Sequence, residues 1–77
     1  MEKILEILKD INPDVDYENA KDLITGQLLD SLQVLSLVVS IEDELHIPID
    51  PAEVTADNFD SVESIMKLIE RKRIMHL

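Results

Sequence analysis

The 77-residue chain carries a formal net charge of −10, no cysteine, one glycine, and Tyr17 and Phe59 as its aromatic residues. That composition excludes disulfide staples and thiolate metal sites, leaves no aromatic platform for stacked bases, and opposes binding to nucleic acid or anionic membranes. It fits one domain over residues 1–77 with a modest aliphatic core. No apolar run is long enough to span a bilayer, and Met1-Glu2-Lys3 leads straight into an amphipathic pattern without a secretory leader. A cytoplasmic monomer without membrane insertion is the expectation.

The charge is unevenly placed. Between Asp22 and Met66 there are ten acids and no Lys or Arg. The bases are Lys3, Lys9 and Lys21, then Lys67, Arg71, Lys72 and Arg73. Such a distribution serves as a solvated surface, or as an acidic middle that steers basic partners.

In chain order, Ile4, Ile7, Leu8 and Ile11, with Leu5 adjoining, define one apolar face of a helix over Glu2 to Ile11. Asn12-Pro13-Asp14 ends it, because a residue before proline is pushed out of the helical region. Residues 12–29 form a long connection, pinned by Val15, Tyr17, Leu23, Ile24, Leu28 and Leu29. Glu18 to Ile24 has room for one or two helical turns. Gly26 marks a turn and is expected to take a positive φ. Residues 12–30 should hold no β-strand. Asp14, Asp16 and Glu18 alternate like the start of a calcium loop, but the glycine and distant glutamate of that motif are missing.

The central helix is expected from Ser31 to Leu45. Asp30 stands at its N-cap and Gln33 at the N3 position of a capping box. Ser31 therefore projects from the first turn, beside unpaired N–H groups and the positive end of the helix dipole. A serine there can bear an anionic phosphodiester without repulsion from its own backbone. On a helical wheel Val34, Leu37, Val38, Ile41 and Leu45 form the core face. Leu32, Leu35 and Val39 form a second apolar strip beside it. That strip is either the edge of a wide buried face or an exposed docking surface next to Ser31.

His46-Ile47-Pro48-Ile49 leaves the helix. Asp50-Pro51-Ala52-Glu53 supplies an N-cap, a proline at N1 and a glutamate at N3, predicting a short turn over about 51–54. Asp60 and Glu63 read as a third cap of the same type, for a last helix from about Ser61 to Arg71 with Val62, Ile65, Met66 and Ile69 inward. Residues 73–77 are expected to fray.

The run Gly26-Gln27-Leu28-Leu29-Asp30-Ser31-Leu32, followed by an apolar helix ending in Glu42-Asp43-Glu44, resembles the acyl carrier proteins. The resemblance extends from the first helix to about Arg73. It implies an all-α bundle of three main helices plus one short helix, with a long first loop. It also implies that Ser31 carries 4′-phosphopantetheine derived from coenzyme A, with Asp30 as cap and motif residue, and that the thiol of this arm holds acyl or aminoacyl groups as thioesters. Implied partners are a phosphopantetheinyl transferase, an acyl- or aminoacyl-activating ligase, and downstream transferases or synthases. Leu32, Leu35 and Val39 would be docking residues, with Glu42, Asp43 and Glu44 as rim charges. Fatty-acid carriers usually place an acid directly after Asp-Ser-Leu and another one turn later. Gln33 and Ser36 stand there instead, which looks more like the D-alanyl or other aminoacyl carriers, as does Asn58-Phe59-Asp60-Ser61.

An autonomous enzyme is not expected. Ser31, Asp30 and His46 are the residue types of a hydrolase triad. Ser31 and His46, however, stand at opposite ends of one helix, roughly 22 Å apart, against a hydrogen-bonding reach of about 3 Å. His46 reads as a helix C-terminal residue, and His76 falls in the tail. The alternative of another class is an unmodified helical interaction module that uses the Leu32, Leu35 and Val39 strip alone.

Overall fold

Helical periodicity governs the chain in the computed structural model, which describes residues 2–75. The elements are α1 (Glu2–Ile11), α2 (Ser31–Leu45), a 3₁₀ turn (Pro51–Glu53), α3 (Ala56–Phe59) and α4 (Val62–Met75). No β-strand occurs among the described residues, as expected for residues 12–30. The architecture is the expected small helical bundle: α1 packs on α2 and α4, and α3 packs on α4. The core is aliphatic, with Phe59 and Tyr17 buried among Ile4, Leu8, Leu37 and Ile65.

Helix α1 buries Ile4, Ile7 and Leu8 and half-buries Leu5 and Ile11. Its C-terminus is closed by Asn12, whose N–H donates to the Leu8 carbonyl at 2.8 Å. The buried Tyr17 hydroxyl lies 3.0 Å from the Leu8 carbonyl oxygen and 2.7 Å from that of Asn12, so it donates to the end of α1. Burial raises the Tyr17 pKa, which keeps the phenol a donor through the neutral range. Tyr17→Phe should therefore lower stability by about 1 kcal/mol, measured by denaturant unfolding, because the half-buried Asn12 carbonyl loses its donor while the Leu8 carbonyl keeps the Asn12 amide.

The long connection is held by Tyr17, Leu23 and Leu29, all buried, with Val15 and Ile24 half-buried. Leu28, expected as a pin, is instead 37% exposed. Its carbonyl accepts from the Asn12 side-chain amide, so it is the backbone there that ties down the loop. Glu18 to Ile24 forms turns rather than helix. Gly26 does lie in a turn, but the positive φ expected there belongs to Gln27, at 55°. The glycine meets a different demand: a Cβ at Gly26 would stand 2.7 Å from the Asp22 carbonyl oxygen and closer still to its carboxylate.

Between α2 and α4 the chain is organised by caps. Asp50 and Glu53 make the expected reciprocal box around Pro51. The four-residue helix α3 has no side-chain cap bond at Thr55, so it carries no signal in the sequence. Phe59, 1% exposed, anchors it in the core.

Asp60 does not cap α4. Ser61 and Ser64 do so, each hydroxyl accepting from the other's backbone N–H at 3.1 Å. Helix α4 also outruns its predicted end, continuing through Arg73 and Ile74 to Met75; His76 and Leu77 lie outside the described residues. Leu68, not predicted inward, is buried with Val62, Ile65 and Ile69, because α4 meets α1 on one side and α3 on another.

A polar network closes this end of the molecule. Lys72 pairs with Glu53, Asn58 donates to the Glu53 carbonyl, and Arg71 donates to Asn58. Lys72, together with the Asp50 amide, holds the Glu53 carboxyl below the usual carboxylate range. The Asp60 carboxyl is lowered too, first by the Thr25 amide and then by the Ile24 amide and the Thr25 hydroxyl, against a desolvation effect of opposite sign. A depressed folded pKa stabilises fully above the unfolded value, about 4, and that contribution is lost as pH falls through the folded value. The melting temperature should thus drop as the medium is acidified below about pH 4, and Glu53→Gln should make the drop shallower.

Candidate functional site around Ser31

Helix α2 begins at Ser31 because Asp30 ends the run of turns ahead of it and caps the helix. Asp30 is extended (φ −83°, ψ 177°), and its carboxylate accepts from the Gln33 amide at 2.8 Å. Gln33 Oε1 accepts in return from the Asp30 amide at 3.1 Å. Both halves of the predicted capping box are present. Ser31 occupies the first helical position and is exposed. The Ser31 and Leu32 amides have no carbonyl one turn back to bind, and no acid lies in the first turn. An anionic ester at this serine would stand at the positive end of α2.

Two shallow clefts meet at Ser31. One, of about 540 Å³, lies between Ser31 and the loop ahead of it, walled by Ile24, Gln27 and Leu29. The other, about 260 Å³ and mostly apolar, lies between α2 and the connection after it, walled by Leu35, Val38, Ile49 and Pro51. Ser31, Val34 and Val54 belong to both. A separate cleft of about 360 Å³, formed by α1, the 17–21 turn and the start of α4, shares no residue with either.

The second apolar strip of α2 is exposed: Leu32 at 74%, Leu35 at 57% and Val39 at 49%. Leu37 and Ile41 are buried, and Val34, Val38 and Leu45 are half-buried. The acids at the helix end differ from one another. Glu42 accepts from the Ile49 amide at 2.9 Å, which holds the wall of the smaller cleft. Glu44 bridges to Lys3 of α1 at 2.8 Å, and the ammonium pKa is raised by that partner. Asp43 is exposed.

His46 ends α2 in the left-handed region (φ 57°), its amide donating to the Glu42 carbonyl, a full helix length from Ser31. The hydrolase residue types are therefore kept apart. Val54, Ile49 and Pro51, which complete the clefts, carry no signal of that role in the sequence. They approach Ser31 only through the fold, and their own neighbourhood reads as a turn.

An exposed serine thus stands on the first turn of a capped helix, between a mostly apolar cleft and a larger one of mixed polarity. The family model described as "Phosphopantetheine attachment site" matches residues 1–69. The chain belongs to that family, the phosphopantetheine-binding domains of the acyl carrier proteins. Its members carry covalently attached 4′-phosphopantetheine and serve in general as non-catalytic carriers. Comparisons with curated proteins and with solved structures return no match.

Proposed function

We propose that Ser31 is the attachment residue and that this protein carries acyl or aminoacyl groups on its arm between partner enzymes. The observation that carries this is the exposed Ser31 hydroxyl on the capped first turn of α2. In the attachment reaction Ser31 Oγ forms the new bond to phosphorus as the pyrophosphate P–O bond of coenzyme A breaks. Adenosine 3′,5′-bisphosphate leaves, and the hydroxyl proton passes to a base on the transferase. Once bound, the group supplies the thiol on which cargo is held as a thioester. Asp30 and Gln33 hold the helix end, and the smaller cleft, walled by Leu35, offers apolar surface for the arm. Carriage works by tethering, which raises the effective concentration of cargo at each docked active site.

Of the cargoes, an aminoacyl group such as D-alanine is favoured by the neutral first half of α2. Gln33 serves the capping box, a role a glutamate could also fill, so what this residue changes is charge near Ser31. Partners include a phosphopantetheinyl transferase and an aminoacyl- or acyl-activating ligase, in the cytoplasm, with the carrier acting as a monomeric single domain. No helix among the described residues is long and apolar enough to cross a membrane. The test of cargo is to offer the phosphopantetheinylated protein to a D-alanine-activating ligase and, separately, to a fatty-acyl-activating ligase. D-Alanyl thioester on the protein by mass is the expected result; loading by the fatty-acyl enzyme alone would overturn the aminoacyl reading.

A further inference from the structure

Asp60 stands at the junction of α3 and α4, yet its bonds go to the loop ahead of α2. Its Oδ1 accepts from the Ile24 and Thr25 amides, each at 2.9 Å, and its Oδ2 from the Thr25 hydroxyl at 3.2 Å. Its backbone carbonyl accepts from the Leu23 amide at 2.9 Å. Ser61 and Ser64 take over the cap of α4, which leaves this carboxylate to the loop. From the clasped residues the chain turns directly toward Ser31. Gly26 donates to the Asp22 carbonyl, Gln27 adopts its positive φ, and Leu29 donates to the Leu23 carbonyl. Ile24, Gln27 and Leu29 are the loop wall of the larger cleft at Ser31.

We propose that Asp60 is a positioning residue for the reactions of Ser31: its carboxylate fixes the Leu23–Thr25 turn, and with it the cleft wall against which a modifying enzyme fits the serine. The proposal rests on the reading of Ser31 as the attachment residue. The clasp is separable from folding. Without the carboxylate, Leu23 is still buried and its amide still bonded to the Asp60 backbone, while Ile24 and Thr25 lose their acceptor. Local release of the loop, rather than global unfolding, is the consequence.

The test compares wild-type protein, Asp60→Ala and Asp60→Asn, all unmodified, as substrates of a phosphopantetheinyl transferase with coenzyme A. Amide hydrogen exchange is read on the same samples. Asp60→Ala should raise the transferase KM about tenfold with kcat little changed, because fit to the enzyme is lost while the serine is intact. The Ile24 and Thr25 amides should exchange at least about tenfold faster. Asparagine keeps an oxygen for both amides and should restore most of the KM and the protection.

A folded Asp60→Ala with unchanged KM, a loss confined to kcat, or amides as protected as in the wild type would each overturn the proposal. Should Asp60→Ala not fold, Asp60→Ser takes its place, since its shorter side chain cannot reach both amides while the Asp60 backbone bond to Leu23 is kept. A KM rise of several-fold is then expected, and an unchanged KM overturns the proposal. Failure of the Ser31 reading shows separately, as modification that persists in Ser31→Ala or never occurs in the wild type.

Discussion

Ser31→Ala should abolish phosphopantetheine attachment altogether while leaving the melting temperature almost unchanged. The loss is complete because the alanine has no oxygen to form the ester, and nothing else on the first turn of α2 offers an exposed hydroxyl: Asp30, Leu32 and Gln33 are the neighbours. The fold is spared because Ser31 is exposed and the cap is made by Asp30 and Gln33, not by the serine. Alanine is moreover a good helix former in general. Asp30→Ala is the informative contrast. It removes the bond to the Gln33 amide and should lower stability by about 1 kcal/mol. Thermal melts and intact masses on the two variants separate the two roles. Labelled Ser31→Ala would place the site at another serine.

Val39→Asp should slow modification or loading by about tenfold or more, with a change in stability of about 1 kcal/mol or less. Val39 is 49% exposed, and with Leu35 and Leu32 it forms an apolar strip that begins one residue after Ser31. Among the described residues nothing covers the strip, and we propose that an enzyme reaching Ser31 docks on it. An aspartate there leaves an unpaired charge in the contact, which speeds dissociation. Asp43→Lys should act differently. It reverses an exposed rim charge, so it should slow association, and added salt should shrink the effect. The Val39 effect should survive salt. Glu42→Lys is a poorer probe of steering, since the glutamate also holds the Ile49 amide. Association rates at two salt concentrations and melting temperatures on the same proteins decide the matter. Unfolding of Val39→Asp would make the strip core, and normal loading would move the docking face elsewhere.

What can be read in the sequence is what local chemistry decides. The bounds of α1 and α2 come from apolar spacing, from Pro13, and from the Asp30–Gln33 box. The Asp50–Glu53 box is equally legible, since both partners lie within one turn. The wheel sets Leu32, Leu35 and Val39 apart from the core face once α2 is placed, and the strip's role depends on partners outside the chain.

Tertiary competition hides the rest. Asp60 followed by Glu63 looks like a cap, but a carboxylate can accept from any amide brought near it, and the fold brings the Ile24 and Thr25 amides. Ser64 then completes the box with Ser61, a pairing less conspicuous than one with glutamate. Gly26 suggests conformational freedom, whereas the requirement there is close approach to Asp22. The clefts at Ser31 draw Ile24 from the first loop and Ile49 and Val54 from the connection after α2, and no local pattern announces such a meeting.

The most direct test of the central claim is a site-mapped mass spectrum of the wild-type protein after incubation with coenzyme A and a phosphopantetheinyl transferase proven on another carrier. One phosphopantetheine per chain, on the fragment containing Ser31 and localised to that residue, is the predicted result. An unmodified chain, or the group localised to any residue other than Ser31, would contradict it.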